Sequence, residues 1–235
     1  MIQNSVFDGT EMVDMRVKIC GIRYPEQGRA IAQAGATDIG FICTSKSPRY
    51  VTPSEIRAVV DVLPRDAADV PTVDRVGVFV DASVGDIQQT VEVGGLTAVQ
   101  LHGHESPEFC RQLRMVLPSV KLIKAFRVRS PETLAESRAF ADDVDMFLLD
   151  AYHPHLMGGT GQTINWSVLT TFKSDRPWFL AGGLTPDNVV EAITLLHPGG
   201  IDLSSSLERS PADKDLHKVE ALFQALRQLS PVNQT

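Results

Sequence analysis

Eight short apolar segments, spaced regularly along the chain, constrain its fold more than any other feature of the sequence. Strands this short and this apolar are typical of a parallel sheet that is covered on both faces. The segments are Val17–Cys20, Asp38–Ile42, Val76–Val80, Ala98–Leu101, Leu122–Phe126, Met146–Leu149, Trp178–Ala181 and Gly200–Leu203.

Amphipathic stretches with helix start signals lie between these segments. In several of them a serine or threonine, a preferred N-cap, precedes a proline at the first helical position. A strand followed by a helix, eight times in about 215 residues, predicts an α/β fold of the closed (β/α)8 TIM-barrel type in a single domain. An open doubly wound sheet is the competing geometry, but the glycine-rich turn that usually follows its first strand is missing from this sequence. The start signals are Thr52-Pro53-Ser54-Glu55, Ser106-Pro107-Glu108, Ser130-Pro131-Glu132 and Thr185-Pro186-Asp187.

The barrel is predicted to span residues 15–230, with an N-terminal extension at residues 1–14 and a short tail at residues 231–235. The extension carries acidic and polar residues instead of a basic segment followed by an apolar core. It is therefore not predicted to be a signal peptide, and we expect it to be poorly ordered. No window approaches the roughly 18 apolar residues that a membrane span requires.

Charge and cysteine content narrow the classes of partner. The chain has 22 basic and 29 acidic residues, a net charge of −7, which disfavours nucleic acid and anionic lipid as partners. Its 3 cysteines are odd in number and show no CxxC spacing. They argue against a disulfide framework or a zinc site and suit a reducing compartment, so a cytoplasmic location is expected.

Polar residues accumulate where the predicted strands end. In barrels of this type the reactive groups lie at the carboxyl ends of the strands and in the loops that follow them. The sequence therefore predicts one site at this end of the barrel. The residues concerned are Cys20, Arg49, His102, Asp150, Gly182, Gly183, Asp202, Ser204, Ser205 and Ser206.

The loops after the last two strands predict a phosphate site. Gly182 and Gly183 allow the backbone to approach a ligand closely, because they carry no Cβ. Ser204 and Ser205 offer hydroxyls and amides just before a predicted short helix, whose N-terminus favours an anion. The alternative is that these glycines only form tight turns and these serines only cap a helix. Both loops together favour phosphate, because barrels most often bind it there.

Cys20 and Asp150 form the candidate acid–base pair. A thiol at the mouth of a barrel is a useful base if neighbouring positive charge or a helix N-terminus lowers its pKa. Asp150 ends a strongly apolar strand, where a carboxyl group should resist ionisation and act as a proton donor. The structural alternatives are a quietly packed cysteine, as expected for Cys43 and Cys110, and a helix cap or ion-pair partner for Asp150.

Two lysines and a histidine have structural interpretations as well. Lys18 and Lys124 lie within predicted strands, so pairing with carboxylates inside the barrel is expected, ahead of a Schiff-base role. His102 is interpreted equally well as a substrate contact or as a structural hydrogen-bonding residue.

The long segment after the sixth strand, residues 152–163, contains His153 and His155 and the flexible run Gly158-Gly159-Thr160-Gly161. No third ligand of matching type accompanies the two histidines, so no metal site is predicted. The glycine-rich run has the composition of a lid over the site.

Taken in order and with their spacing, the motifs of residues 16 to 229 resemble the phosphoribosylanthranilate isomerase family. The motifs are Lys18-Ile19-Cys20-Gly21, Gly40-Phe41-Ile42, Ser47-Pro48-Arg49-Tyr50-Val51, Val76-Gly77-Val78-Phe79, Gln100-Leu101-His102-Gly103, Leu149-Asp150, Gly158-Gly159-Thr160-Gly161, Leu180-Ala181-Gly182-Gly183-Leu184 and Asp202-Leu203-Ser204-Ser205.

The resemblance implies a role for each matching position. It implies that Cys20 is the general base, that Asp150 is the general acid and that Arg49 binds the anthranilate carboxylate. It also places Asp202 at the pocket. The glycines and serines of the last two loops, Gly182, Gly183, Ser204 and Ser205, are implied to bind the phosphate.

The chemistry that the resemblance implies agrees with these residue types. An aminoaldose rearranges to an aminoketone when an acid protonates the ring oxygen and a base then removes the C2 proton. One acid and one base suffice, so no cofactor is expected. The expected partner is a small phosphorylated aminosugar, and the chain is expected to be a monomer or a homodimer.

Three positions depart from the pattern of the family. Ser206 and Ala212 occupy positions where the family usually has glycine, and Asn165 replaces a more usual aspartate. Ser206 matters most, because a side chain at a phosphate-binding turn could restrict the approach of the backbone.

Two competing hypotheses follow from the same residues. The first is a sister barrel, the aminoaldose isomerase of histidine synthesis, whose class resembles an arrangement with an aspartate where Cys20 lies. The second is a non-catalytic barrel that binds a phosphorylated ligand, which the departures at Ser206 and Ala212 motivate.

Overall fold

Eight parallel strands form a closed barrel in the computed structural model, which describes residues 15–151 and 166–229. The strands follow the order of the chain around the barrel, and β1 pairs with β8 to close it. This confirms the predicted TIM-barrel fold. The strands are β1 Arg16–Cys20, β2 Asp38–Ile42, β3 Asp74–Phe79, β4 Ala98–Leu101, β5 Lys121–Arg127, β6 Met146–Asp150, β7 Trp178–Ala181 and β8 Gly200–Leu203.

Helices cover the outside of the barrel and pack their apolar faces on the strands. They are α1 Pro25–Ala34, α2 Pro53–Val60, α3 Val84–Gly94, α4 Pro107–Val116, α5 Pro131–Glu136, α6 Val189–Leu196 and α7 Leu216–Arg227. Short 3-10 helices lie at Ser137–Phe140, Trp166–Val168 and Ser205–Leu207. Among the described residues between β6 and β7, only the 3-10 turn at Trp166–Val168 is helical.

Three helices begin where the sequence predicted: α2 after Thr52, α4 after Ser106 and α5 after Ser130. Thr52 and Glu55 form a reciprocal capping box at α2, and the Ser106 hydroxyl accepts a hydrogen bond from the Phe109 amide at α4. The prediction that Thr185 begins a helix was wrong by one turn. Thr185 and Asn188 instead bond to each other's backbone amides in a turn, and α6 begins at Val189.

A two-stranded hairpin follows the barrel. Strand β9, Glu208–Ser210, pairs antiparallel with β10, Asp213–Lys214, so that Lys214 lies opposite Glu208. Ala212 in its turn has a positive φ of 68°. The apolar and turn signals of the sequence did not predict this hairpin, because its strands are too short to show a pattern.

The barrel interior is a packed core. Its apolar side chains come from alternating positions of the strands, as the pleat requires. They form a cluster separate from the larger layer between strands and helices, and they are Val76, Ala98, Ile123, Ala125, Met146, Leu148, Phe179 and Ala181.

Several predictions fall on residues outside the described ranges. They concern the extension at residues 1–14, the tail at residues 231–235, Asn165, and the lid with His153 and His155 at residues 152–163. Within residues 15–151 and 166–229, no helix is both long enough and apolar enough to cross a bilayer.

Candidate active site

A cavity of about 340 Å³ lies at the carboxyl ends of the strands. It brings together every residue that the sequence predicted for the site, although those residues come from different strands and loops. Those residues are Cys20, Arg49, His102, Asp150, Gly182, Gly183, Asp202, Ser204 and Ser205. Ser206, one of the departures from the family pattern, lines the same cavity.

Cys20 ends β1 with its side chain buried in the wall of the cavity. Burial raises the pKa of its thiol, and the nearby Asp202 carboxylate acts in the same direction. The Lys18 and Lys214 ammonium groups oppose this and lower the pKa of the thiol, but they do not outweigh burial. The expected positive charge is therefore present, whereas a pKa below the ordinary value is not, and Cys20 is a thiol at neutral pH.

Lys18 and Asp202 form a buried ion pair below Cys20. The Lys18 Nζ lies 3.1 Å from both carboxylate oxygens of Asp202, across the seam between β1 and β8. Burial raises the pKa of Asp202, and the Lys18 ammonium lowers it. The predicted pairing of Lys18 with a carboxylate inside the barrel is confirmed by this contact, and it places a cation against the Cys20 thiol.

Asp150 ends β6, and its carboxylate is one quarter exposed to solvent. The Asp150 Oδ2 lies 3.8 Å from the Nε2 of His102, beyond hydrogen-bonding distance. Burial, together with the positive charges of Arg127, Lys18 and Lys124, lowers the pKa of His102 to about 4. The imidazole facing Asp150 is therefore neutral at neutral pH.

The orientation of His102 is set from below. The Gln100 Nε2 lies 3.1 Å from the His102 Nδ1 and donates to it, so the neutral ring carries its proton on Nε2. Nε2 is the ring nitrogen that lies 3.8 Å from the Asp150 carboxylate. His102 thus combines both interpretations of the sequence, since it has a structural hydrogen bond and also lines the cavity.

Lys124 is held away from the cavity. Its Nζ donates to the Glu105 carboxylate at 2.8 Å and to the Gly103 carbonyl at 2.8 Å, with both side chains almost fully buried. The predicted carboxylate pairing is confirmed, and the contacts leave no accessible amine for a Schiff base.

The glycines and serines of the last two loops meet at one side of the cavity. Gly182 and Gly183 have φ of 93° and 67°, a left-handed conformation that exposes backbone amides and favours glycine. The Ser204 hydroxyl donates to the Cys20 carbonyl at 3.0 Å, while Ser205 is exposed. The predicted helix after these serines is one turn of 3-10 helix, Ser205–Leu207, which is too short to have an appreciable helix dipole.

Two further residues near the cavity, Glu208 and Lys214, were missed by the sequence analysis. Glu208 accepts hydrogen bonds from the Nε and Nη2 of Arg49 at 2.9 Å and 2.6 Å, so Arg49 does not extend free into the pocket. Glu208 also accepts from the fully buried Lys214 at 2.9 Å. Both residues belong to the β9–β10 hairpin, and strand-end positions gave no signal for them.

The sequence of this chain is similar to a known protein family and to individual members of it. A sequence model of one family, described as N-(5'phosphoribosyl)anthranilate (PRA) isomerase, matches residues 17–225. An N-(5'-phosphoribosyl)anthranilate isomerase of Acaryochloris marina is 59% identical over 215 residues, which is 92% of this chain and 99% of that protein. The isomerase of Gloeothece citriformis is 57% identical over 212 residues, 90% of this chain and 94% of that protein.

Solved structures show the same likeness. The phosphoribosyl anthranilate isomerase of Thermotoga maritima superposes with a TM-score of 0.80 at 33% identity, covering 91% of this chain and 99% of that chain. A second isomerase structure, in complex with reduced 1-(o-carboxyphenylamino)-1-deoxyribulose 5-phosphate, gives a TM-score of 0.77 at 32% identity over 91% of this chain and 99% of that chain. A third describes monomers of the dimeric Thermotoga maritima enzyme, with a TM-score of 0.77 at 30% identity over 91% and 98% of the two chains.

Proposed function

This chain belongs to the N-(5'-phosphoribosyl)anthranilate isomerase family, and from that membership we propose that Cys20 and Asp150 are its acid–base pair. The enzyme converts N-(5-phosphoribosyl)anthranilate to 1-(2-carboxyphenylamino)-1-deoxyribulose 5-phosphate, an Amadori rearrangement in L-tryptophan biosynthesis. The observation that carries the proposal is that a thiol from β1 and a carboxyl group from β6 line one cavity beside a glycine- and serine-rich wall.

Asp150 acts first, as the proton donor. It protonates the ring oxygen of the ribose, the C1–O bond breaks, and the nitrogen lone pair forms the iminium ion. The neutral His102 beside Asp150 supports this role, because an adjacent imidazolium would stabilise the carboxylate and weaken the acid.

Cys20 acts second, as the base. It removes the C2 proton of the iminium ion, which gives an enolamine that tautomerises to the aminoketone. The proton acceptor must be the thiolate, and the ammonium groups of Lys18 and Lys214 favour that form against the effect of burial. The positive charge of the iminium ion adds to theirs at the moment when the base is needed.

The remaining residues bind the two anionic ends of the substrate. The backbone amides at Gly182 and Gly183, with Ser204 and Ser205, hold the phosphate, and Arg49 holds the anthranilate carboxylate. The acid and base then lie between the two anchors, which fixes the sugar for both proton transfers. Asp202 contributes through its ion pair with Lys18 below Cys20.

The setting of the enzyme completes the proposal. The catalytic domain comprises residues 15–230, needs no cofactor and works in the cytoplasm as a monomer or a homodimer. The histidine-pathway isomerase is not favoured, because Cys20 lies where that class has an aspartate, and a non-catalytic barrel is not favoured, because the acid and the base are both retained.

The test is loss of phosphoribosylanthranilate fluorescence on addition of purified variants. Cys20→Ala and Asp150→Asn are expected to lower kcat by about 10² to 10⁴ each, the usual contribution of one proton transfer, with little change in KM or melting temperature. Cys43→Ala is the matched control, because the Cys43 thiol bonds to the Phe41 carbonyl at 3.6 Å instead of the substrate. Turnover near that of the unmodified enzyme in both variants would show that the acid and base are assigned wrongly.

A further inference from the structure

We propose that Glu208 is a positioning residue that orients Arg49 for the carboxylate of the substrate and at the same time holds Lys214 beside Cys20. The proposal rests on the roles proposed above for Arg49 and Cys20. It assigns a function to the β9–β10 hairpin, which lies outside the eight-stranded barrel.

Glu208 fixes the guanidinium of Arg49 in one orientation. Its Oε1 accepts from the Arg49 Nε at 2.9 Å, and its Oε2 accepts from Nη2 at 2.6 Å. Such a two-point contact removes the rotational freedom of a planar guanidinium. Among the described residues, the Nη1 of Arg49 takes part in no hydrogen bond, so this edge is left for a carboxylate in the cavity.

The same carboxylate holds Lys214. The Lys214 Nζ donates to the Glu208 Oε1 at 2.9 Å and to the Ser204 carbonyl at 3.1 Å, and the lysine is fully buried. Lys214 lies directly opposite Glu208 in the hairpin register. A buried ammonium without this partner would be costly, so Glu208 is what allows a cation at this position.

Both cations pack at Gly21, the residue after Cys20. A Cβ on Gly21 would lie 3.0 Å from the Arg49 Cδ and 3.6 Å from the Lys214 Nζ. The charge of Lys214 lowers the pKa of the Cys20 thiol, and Arg49 also interacts with that thiol electrostatically. One buried carboxylate therefore sets both the geometry of the substrate anchor and the positive charge near the base.

The proposal predicts that two substitutions shift the ionisation of Cys20 in the same direction. Glu208→Gln keeps the size of the side chain but removes the carboxylate that keeps the buried Lys214 charged, so Lys214 loses its proton and the Cys20 thiolate should form at higher pH. Lys214→Gln removes the cation itself, so the thiolate should again form at higher pH. The charged or titratable groups around Cys20 are Lys18 on β1, Asp202 on β8, Lys214 on β10, and Arg49 and Cys43 after β2.

The two variants should separate in KM. Glu208→Gln loosens Arg49 and is expected to raise KM by about ten- to a hundredfold, the range that follows from misplacing one positioning group. Lys214→Gln leaves the Arg49–Glu208 contact in place, so its KM should change by less than about threefold. Glu208→Asp, the conservative variant, keeps the charge and should retain the pH profile of the unmodified enzyme even if its KM rises.

The experiment measures kcat and KM against pH, together with the rate at which iodoacetamide alkylates Cys20 at each pH, followed by mass spectrometry of the Cys20 peptide. Glu108→Gln, which removes an exposed partner of Arg111, is the matched control and should leave kcat, KM and the alkylation rate of Cys20 unchanged. If Glu208→Gln does not fold, Lys214→Gln and Glu208→Asp still test the direction of the shift and the retention of the profile.

Two outcomes would overturn the proposal: an unchanged pH profile in Glu208→Gln or in Lys214→Gln, or a shift of the Cys20 ionisation to lower pH in either variant. Failure of the proposed catalytic roles would look different. In that case Cys20→Ala would retain turnover. If only the positioning role fails, Cys20→Ala is inactive, while Glu208→Gln and Lys214→Gln have the KM and pH profile of the unmodified enzyme.

Discussion

At the scale of single residues, Ser206 has a buried hydroxyl with no hydrogen-bond partner in the described part of the chain. An unsatisfied buried hydroxyl costs about 1 to 3 kcal/mol. Ser206 lines the cavity at the proposed phosphate site, so a rotation of its side chain towards the cavity would give the hydroxyl a bound phosphate oxygen as its partner. The sequence analysis expected the Ser206 side chain, in place of the glycine usual in the family, only to restrict the approach of the backbone. The buried hydroxyl gives the side chain a possible binding role as well.

Ser206→Ala is accordingly expected to raise the free energy of unfolding of the ligand-free protein by about 1 kcal/mol. This advantage should shrink when saturating inorganic phosphate is present, because phosphate then stabilises the serine protein more than the alanine variant. Thermal unfolding with and without phosphate measures both effects.

Ser204→Ala is the control for this prediction. Its hydroxyl already donates to the Cys20 carbonyl, so its removal should lower stability in the absence of phosphate. A Ser206→Ala protein that is no more stable than the unmodified one in phosphate-free buffer would contradict the argument.

Single residues also show how far the site was predictable. Cys20 and Asp150 end parallel strands and Asp202 is the next-to-last residue of β8. Closure of the barrel necessarily brings strand ends together at one rim. Glu208 and Lys214 reach the same place from a hairpin whose docking depends on contacts distant in sequence. No local pattern reports such an approach, so neither residue was predicted. The raised pKa of Cys20 could not be predicted from the sequence either, because it depends on the balance between burial of the thiol and the charges of Lys18 and Lys214.

At the scale of secondary structure elements, the turn of the β9–β10 hairpin stores backbone strain. Ala212 adopts a φ of 68° and is 1% exposed. The left-handed region costs a residue with a Cβ about 1 to 2 kcal/mol, whereas glycine enters it freely. The turn is nevertheless kept in place, because the Ala212 amide donates to the Glu208 Oε1 at 3.2 Å.

Ala212→Gly is expected to stabilise the protein by about 0.5 to 1 kcal/mol, since the relief of strain exceeds the entropic cost of glycine in the unfolded chain. Ala192→Gly is the matched control. Ala192 is equally buried but lies inside α6, where glycine should destabilise by about 1 kcal/mol. Denaturant unfolding of both variants should therefore give changes of opposite sign, and equal signs would show that the turn is not strained.

The elements differ in how well the sequence predicted them. The barrel strands were found, although they are short, because a sheet covered on both faces needs near-continuous apolar runs. The start of α6 was misplaced because Thr185 and Asn188 bond to each other first, and a proline after a threonine suits a turn as well as a helix. The strands of the hairpin have 3 and 2 residues, too few for any periodicity to show.

At the scale of the whole molecule, one end of the barrel holds the candidate active site and the other end stabilises the fold. The carboxyl end holds the cavity and its titrating groups. At the opposite end, Arg16 bonds to Asp38 and Asp74 and to the Met146 sulfur, and its guanidinium lies 5.5 Å from the centre of the Phe179 ring. One side chain thus connects β1 with β2, β3, β6 and β7 and closes the bottom of the core.

Arg16→Met should therefore destabilise the whole barrel without affecting catalysis. Asp38 is fully buried, and removal of its cation leaves an uncompensated charge that costs about 3 to 5 kcal/mol. The free energy of unfolding should fall by that amount, while kcat and KM at a temperature where the variant is folded stay unchanged, because Arg16 lies at the end remote from the cavity. Denaturant unfolding and the fluorescence assay measure the two properties separately.

Two further variants show whether charge burial is the cause. Asp38→Asn added to Arg16→Met removes the unpaired charge and should restore part of the lost stability. Lys121→Met deletes a half-exposed partner of Asp74 and should cost no more than about 1 kcal/mol. A loss of kcat in folded Arg16→Met would mean that the two ends are coupled. In that case substrate binding would stabilise the Arg16 end of the barrel as well as the cavity end. Stability and catalysis would then not be separate properties of the two ends.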